Sequence, residues 1–336
     1  MTTPRRSLAY TLDNDDVLTS YGAWAAPDLI LSDGAYGVSG FPGDPHTPAV
    51  LDEWYAPHVA AWSAAAKPGT SLWFWNTEVG WANVHPLLVA HGWQFEVCHT
   101  WDKGIGQVAG NVNSKTIRRF PVVTEVCVMY SRKFAPTDAA GNALAANEWM
   151  RAEWRRAGLP LSRANEACGV KNAATRKWFT LDRHWYFPPG EAMAQLAAYA
   201  TEHGPQTDRP YFSLDGKTPL TAEEWDALRY PWTHEHGLTN VWSTPSLRGK
   251  ERLKSAGNAA AHLNQKPLDL MRRIIKAATR PGDVVWEPFG GLCSASVAAV
   301  ELGRRPYAAE RLDEFHSLAI KRLNEAVDAR ETSGAA

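Results

Sequence analysis

The sequence predicts an α/β protein, a doubly wound sheet whose two halves are separated by a mostly helical insertion. Three observations predict it. Short apolar runs alternate with helix-length segments in residues 1–135 and again in 246–336, the pattern of a sheet with helices on its faces. The stretch 136–245 between them is richer in Arg, Trp and Pro and mostly helical in period. Near the C-terminus, a glycine-rich turn joins a strand to a helix, and an acid stands at the tip of the next strand. The length, 336 residues, is long for one domain and short for two, which fits one large domain carrying an insertion.

The elements follow in chain order. Leu29-Ile30-Leu31 is an apolar run that ends in the polar turn Ser32-Asp33-Gly34-Ala35-Tyr36-Gly37. His58 to Ala66 reads as a helix with Pro57 at its start, where a missing N–H costs nothing. Ser71 to Trp75 follows the turn signal Lys67-Pro68-Gly69, and Val122 to Tyr130 reads as a further strand. After the insertion, Leu268 to Thr279 is an amphipathic helix, and Pro281-Gly282-Asp283 turns the chain into the strand Val284-Val285-Trp286. Ser294 to Leu302 is a small-residue helix ended by Gly303, and Pro306 to Glu310 is a short strand. Only Glu331 to Ala336 read as frayed.

Composition bounds the function. Lys+Arg number 35 and Asp+Glu 36, so any nucleic-acid site has to be a local basic patch. The four cysteines, Cys98, Cys127, Cys168 and Cys293, show no CxxC spacing, which argues against a zinc module or a disulfide framework. No run approaches the ~20 apolar residues of a membrane span, and the first residues lack a signal-peptide core. A cytoplasmic protein with no membrane partner is expected. The cluster Trp73, Trp75, Trp81 and Trp93 reads as core, and His234-Glu235-His236 as a surface turn with no metal.

The layout strand, tight turn, helix, strand, acid belongs to a nucleoside-binding half-sheet. Here it is Val284 to Ser294, then Glu310. Gly290 and Gly291 let the backbone approach a ligand, and the Glu310 carboxylate can accept both hydroxyls of a ribose. The GxGxxG spacing of a dinucleotide site and the lysine of a phosphate loop are absent, which points to a nucleoside without pyrophosphate, such as S-adenosyl-L-methionine. A turn that only packs a helix on a strand is the alternative.

The segment Leu29 to Gly37 resembles the Asp-Pro-Pro-Tyr motif of amino-methyltransferases acting on adenine N6 or cytosine N4 of DNA. His262-Leu263-Asn264-Gln265-Lys266-Pro267-Leu268 is similar to their His-Pro-Thr-Gln-Lys-Pro-Leu motif, and Glu287 to Ser294 to their Asp-Pro-Phe-Gly-Gly-Ser-Gly-Thr turn. The order resembles the permuted beta class of these enzymes. The likeness runs from about Leu8 to Leu323 and includes Leu12-Asp13 and Leu302-Gly303-Arg304. It implies a Rossmann-like class I methyltransferase fold with S-adenosylmethionine as cofactor. It implies catalytic roles for Asp33, Gly34, Ala35 and Tyr36. Cofactor contacts are implied for Asp13, Asn264, Gln265, Lys266, Pro267, Glu287, Phe289, Gly290, Gly291, Cys293, Ser294 and Glu310. Gly34 and Ala35 replace both prolines of the motif, leaving two extra N–H groups and a floppier turn. Glu287 replaces an Asp, and Cys293 the third glycine.

The exocyclic amine of a base is a poor nucleophile, because its lone pair is delocalised into the ring. The Asp33 carboxylate and Gly34 carbonyl can accept its two hydrogens and favour a tetrahedral nitrogen. Asp33 would take the proton late, and Tyr36 would stack on a flipped base. Carbon-5 cytosine chemistry needs a nucleophilic cysteine, carried after proline in that family, and no cysteine here follows a proline. Adenine N6 is the expected target, since an acid leads the motif. Cytosine N4 is the alternative, and a weakly active or inactive DNA-binding protein is the second; RNA or protein amides are remoter.

The insertion is expected to read double-stranded DNA. Leu161 to Trp178 looks like two short helices joined by a Gly turn, a helix-turn-helix-like pair. From Arg151 to Arg183, eight Arg/Lys face three acids, a local excess suited to phosphates. Arg163, Lys171, Asn172, Thr175, Arg176 and Lys177 are the candidate contacts on and near the second helix, with Lys115, Arg118 and Arg119 as a second phosphate site. A helical hairpin with a solvated basic face is the alternative. The resemblance further implies a bacterial or phage source, a cognate restriction endonuclease as partner, and a homodimer.

Overall fold

The computed structural model describes residues 5–6, 9–39, 43–108, 115–138, 141–254, 260–262 and 264–334. Leu8, Leu263, the Gly/Asn-rich stretch 109–114 ahead of Lys115, and residues 335–336 lie outside them. The chain divides into two compact units, one formed by 1–132 with 230–336, the other by 133–229.

In the larger unit the strands are β1 (Arg5–Arg6), β2 (Thr11–Asp13), β3 (Leu29–Ser32), β4 (Ser71–Asn76), β5 (Trp93–Asp102), β6 (Thr124–Arg132), β7 (Val241–Ser243), β8 (Val284–Glu287) and β9 (Arg305–Ala309). They form one sheet in the order β1-β2-β9-β8-β3-β4-β6-β5-β7. The run from β2 to β4 is parallel, and β6 enters antiparallel to both β4 and β5. β3, β4 and β8 are buried at every position, which is why they read as unbroken apolar runs. Their side chains still alternate between faces: Ile30 joins the core with Tyr55, Trp62 and Trp286, while Leu29 and Leu31 join Trp73, Trp75 and Ile274 on the other side. Trp73, Trp75 and Trp93 are buried and Trp81 packs against the core, as the sequence predicts.

Two local expectations are corrected. The helix read from His58 runs from Leu51 to Ala65 with Pro57 inside it. Proline there removes the hydrogen bond to the Glu53 carbonyl, but Leu51, Tyr55, His58, Val59 and Trp62 all bury on one stripe, and that burial outweighs one lost bond. The insertion ends at 229 rather than 245, because β7 pairs in parallel with β5, Trp101 opposite Trp242.

The smaller unit is helical around its own core, with Trp149, Trp154, Phe179, Leu196, Phe212 and Trp225 at its centre. The helix-turn-helix-like pair differs from expectation in its second member. Ser162–Ala167 is a helix and Gly169 takes φ +62°, but Ala174–Trp178 is a five-residue π-helical turn. Buried Trp178 and Phe179 anchor that turn in the core, so it stops before becoming a longer reading helix.

Candidate active site

The parallel register of β3 with β8, Leu29 opposite Val285 and Ile30 opposite Trp286, sets their C-terminal ends side by side. The turn after β3 begins at Asp33 and the turn after β8 at Pro288. β9 lies on the far side of β8 and delivers Glu310. Ligands of open α/β sheets bind at such carboxyl ends, where the strand order reverses. A cavity of ≈ 510 Å³ opens there, lined by Asp33 to Tyr36, Asn264 to Lys266, Glu287 to Leu292, Ser294 and Glu310. The three sequence motifs, 230 residues apart at Tyr36 and Lys266 as the chain runs, thus share one wall system.

Beneath the turn is a buried cluster of two carboxylates and two ammonium groups. Lys266 Nζ lies 2.9 Å from Asp33 Oδ1 and 3.5 Å from Glu125 Oε2. Lys103 Nζ pairs with Glu125 Oε1 at 2.5 Å. The Tyr36 hydroxyl accepts from Lys266 at 3.0 Å and lies 2.9 Å from Asp33 Oδ1 and 3.2 Å from Glu125 Oε2, to either of which it can donate its one proton. Trp75 Nε1 donates to Glu125 at 2.7 Å. Burial pushes Glu125 up, but Lys266 and Lys103 outweigh it and hold the carboxyl at about 2. Burial would lower Lys266, and the Asp33 and Glu125 carboxylates reverse that, keeping its ammonium charged. Burial raises Asp33 against the opposing pull of Lys266. Both contacts to Asp33 fall on Oδ1. Among the described residues nothing donates to Asp33 Oδ2 or to the Gly34 carbonyl, so both remain open as acceptors.

The turn itself is held firmly, contrary to the floppiness expected from its missing prolines. The Asp44 carboxylate accepts from the N–H of Tyr36 at 3.1 Å and of Gly37 at 2.8 Å. The Ala35 carbonyl accepts from Tyr55 Oη at 3.1 Å and Asn76 Nδ2 at 2.8 Å. At Gly34 a Cβ would sit 2.6 Å from the Phe289 ring and 2.7 Å from Tyr55 Oη, so only glycine lets the two turns approach this closely. Tyr36 lines the cavity but is nearly buried, with Lys266 Nζ 5.2 Å from its ring centroid. Trp54 and Phe289, half-buried, 5.3 Å apart and both lining the cavity, are its more open aromatic faces.

The turn after β8 is organised around Glu287. Its carboxylate accepts from Ala295 N at 3.0 Å and from Ser296 N and Oγ at 2.7 and 2.6 Å, capping the helix Ser294–Glu301. Burial raises this carboxyl to about 7 against those hydrogen bonds. Cys293 is buried with φ +53°, a conformation costly for a residue with a Cβ, which is the glycine position of the family turn. Arg322 donates to the Leu292 carbonyl and lies 3.3 Å from Ser294 Oγ. At Gly290 a Cβ would lie 2.9 Å from the Ala309 carbonyl oxygen. Glu310 accepts from Gly291 N and Leu312 N, both at 2.8 Å, which fixes the carboxylate at the cavity edge.

Not every candidate reaches the cavity. Asp13 accepts from Trp24 Nε1 at 2.8 Å, and the neighbouring Asp15 and Asp16 line the cavity instead. Gln265 lines it too, but its amide brackets the backbone of Glu251 and Leu253. Pro267 caps the helix Leu268–Ala278, and Cys293 lies under the turn; neither lines the cavity. The sequence reading missed Asp44, Tyr55, Asn76, Glu125 and Lys103. None stands in a motif: the pairing of β4, β5 and β6 beside β3 places Asn76, Lys103 and Glu125, while Asp44 and Tyr55 come from the segment after β3 and the helix Leu51–Ala65.

In the smaller unit the positive excess is partly consumed. Arg156 and Arg209 both bind the buried carboxylate of Glu153, Arg151 donates to the Phe179 carbonyl, and Arg163 pairs with Glu166 at 2.5 Å. Thr175 is tied to Asn165 and Asn172. Arg155, Lys171, Asn172, Arg176, Lys177 and Arg183 remain exposed. Lys115, Arg118 and Arg119 are exposed on the larger unit, and His234 and His236 lie on an exposed turn of it.

Several known proteins resemble this chain. A family model described as DNA methylase, covering N6 and N4 enzymes, matches residues 27–321. The Type II methyltransferase M.HinfI of Haemophilus influenzae is 38% identical over 86 residues, 26% of this chain and 24% of that protein. The DNA adenine methyltransferase YhdJ of Escherichia coli (strain K12) is 32% identical over 94 residues, 28% of this chain and 30% of that protein. The chain thus spans under a third of the length of these relatives. Among solved structures, the M1.HpyAVI–SAM complex aligns with TM-score 0.51 and 15% identity over 94% of this chain and 99% of that one. PvuII DNA methyltransferase (cytosine-N4-specific) aligns with TM-score 0.51 and 11% identity over 98% and 95%. These likenesses show a common fold, the Rossmann-like sheet of class I methyltransferases, and the family match extends over most of the sequence: the chain belongs to the N6/N4 DNA methylases.

Proposed function

We propose that this protein transfers a methyl group from S-adenosylmethionine to the exocyclic amine of a base in double-stranded DNA, with adenine N6 as the target. The observation that carries the reading is the pair of open acceptors, Asp33 Oδ2 and the Gly34 carbonyl, on two residues that line the same cavity as the turn after β8. The cofactor fits the residues present. Gly290 packs the turn directly on β9, beside the cavity that both it and Glu310 line, and the Glu310 carboxylate, fixed by two backbone donors, keeps lone pairs for a ribose diol. S-adenosylmethionine supplies an activated methyl group on a sulfonium.

The chain's own residues do the rest by positioning and preorganised charge. Asp33 Oδ2 and the Gly34 carbonyl draw the two amine hydrogens toward them and free the nitrogen lone pair. Once the nitrogen carries the methyl, Asp33 takes its surplus proton, and burial makes that carboxylate a better base than one in water. Lys266 and Tyr36 hold Oδ1 and so orient Oδ2. The target base must leave the stack to reach this depth, where Tyr36, Trp54 and Phe289 line its site. The acid at the head of the motif favours adenine; the relative YhdJ carries adenine in its name, while the neighbour from PvuII is named cytosine-N4-specific. Exposed Arg155, Lys171, Arg176, Lys177 and Arg183 supply phosphate contacts, and a restriction endonuclease partner and a homodimer complete the reading.

Single-base methylation mapping of DNA from a bacterial host producing this chain tests it, beside an Asp33→Ala strain. One modified adenine motif present only with Asp33 is expected. A modified cytosine motif would move the target to N4. No modification in either strain, with soluble cofactor-binding protein in both, would overturn the reading in favour of a protein that binds DNA without methylating it.

A further inference from the structure

The described residues flanking 109–114, between β5 and β6, are rooted in the catalytic cluster and carry uncovered apolar side chains. The first residue after β5, Lys103, pairs with Glu125 on β6, and Glu125 lies 3.5 Å from Lys266. Residues 103–123 contain four cations, Lys103, Lys115, Arg118 and Arg119, and no acid, in a chain of net charge −1. Phe120 is 94% exposed and Ile105 74%, the two highest values among the large hydrophobic residues described. Arg118 and Arg119 precede Phe120 directly, and Pro121 follows it. A phenylalanine this exposed forgoes the hydrophobic free energy that burial would supply. Arginines beside an exposed ring match a polyanion whose interior is a stack of aromatic faces.

We infer that the segment 115–123 docks on the DNA duplex, with Arg118 and Arg119 on phosphates and Phe120 inserted as a wedge into the space a displaced base vacates. The inference rests on the reading of the cavity as the site of an extruded base. The chain leaves the sheet at the catalytic cluster, and Phe120 stands five steps before Glu125, an extended reach of at most roughly 17 Å. That reach bounds the ring's distance from the cluster beneath the cavity. Apolar wedges of this kind offset the cost of unstacking, and stacking on an aromatic ring contributes about 1–3 kcal/mol per base.

The test needs no turnover. Fluorescence anisotropy measures binding of the full chain to a labelled 30-base-pair duplex, intact or with one abasic spacer, where the wedge finds its gap already open. The wild type should prefer the abasic duplex about tenfold, a preference that Phe120→Ala abolishes and Phe120→Trp keeps. Arg118→Ala should weaken binding to both duplexes equally and flatten the salt dependence. With the ring in solvent, none of these variants should shift the melting temperature. A preference unchanged in Phe120→Ala, or no preference in the wild type, would overturn the wedge. The methylation map stands apart from this result. A Phe120-dependent preference without methylation would sink the enzymatic reading alone, and methylation without the preference would sink the wedge alone.

Discussion

At the scale of single residues, Gly34 is the position where side-chain size is most constrained. Alanine there would place its Cβ 2.6 Å from the Phe289 ring, forcing the turns after β3 and β8 apart. We expect Gly34→Ala to lose about 1–3 kcal/mol of stability, the usual cost of overpacking, and to weaken S-adenosylmethionine binding with it. Trimming the obstacle should help: Gly34→Ala with Phe289→Ala should recover part of the stability lost by the first change alone. Urea denaturation of the single and double variants checks this, and strictly additive losses would mean that the two positions do not meet. The same scale explains why Asp33 and Lys266 belong together. Removing either leaves a charge buried beside Glu125 and Lys103 with an unbalanced partner, which is strongly destabilising for buried pairs.

At the scale of elements, the turn after β3 does with side chains what its family does with prolines. Asp44 accepts from two successive N–H groups, while Tyr55 and Asn76 donate to the carbonyl of Ala35. Asp44→Ala should leave both N–H groups without an acceptor, at a cost of about 1–3 kcal/mol each if they stay dry. It should also reduce turnover more than cofactor affinity, because the residue braces the catalytic turn and not the one after β8. Steady-state kinetics beside cofactor titration separate the two; equal loss in both would show that Asp44 supports the whole cavity. The helix Leu51–Ala65 makes a related point, since its interior proline is tolerated once a stripe of five buried side chains holds both ends.

At the scale of the whole molecule, several buried groups of the larger unit couple folding to pH. Burial lowers His58 and His99 to about 4, and burial with Lys266 and Arg252 lowers His262 to about 4. Unfolded histidines protonate near 6.5. Between those values the unfolded state binds more protons, so stability drops as pH falls from about 6.5 to 4. Glu125, held at about 2, adds to the loss below its unfolded value of about 4.3. Glu287 acts in the opposite sense. Its folded value of about 7 means its contribution is full below about 4.3 and disappears as pH rises to 7. Three histidines set the direction between pH 7 and 5, opposed by Glu287 and by the carboxyls of Asp33, Asp283 and Glu310, which burial also raises. Urea midpoints at pH 7, 6 and 5 should therefore fall in that order, and a flat or rising series would show that the histidines are not neutral in the native protein.

By itself, the sequence determined the α/β class, the split of the sheet around an insertion, and the three motifs Asp33–Tyr36, His262–Leu268 and Glu287–Ser294. These were legible because they are local: apolar runs of strand length, turn residues at fixed offsets, and residue types required by the chemistry. It also set the placement of Trp73 and Trp75, since rings that large in the central strand β4 have nowhere to go but the core. Tertiary structure decided what joins those segments. The parallel pairing of β3 with β8 brings Asp33 beside the turn after β8, and the antiparallel return of β6 delivers Glu125 beneath it. The end of β2 decided that Asp15 and Asp16, rather than Asp13, line the cavity: Asp13 is the last strand residue and is held by Trp24, while Asp15 and Asp16 lie in the turn beyond it. Packing also decided how much of the insertion's positive charge is free, since a buried Glu153 captures two arginines that the composition counts as available. Neighbours in space are fixed by burial and strand pairing across long sequence separations, and no local pattern encodes them.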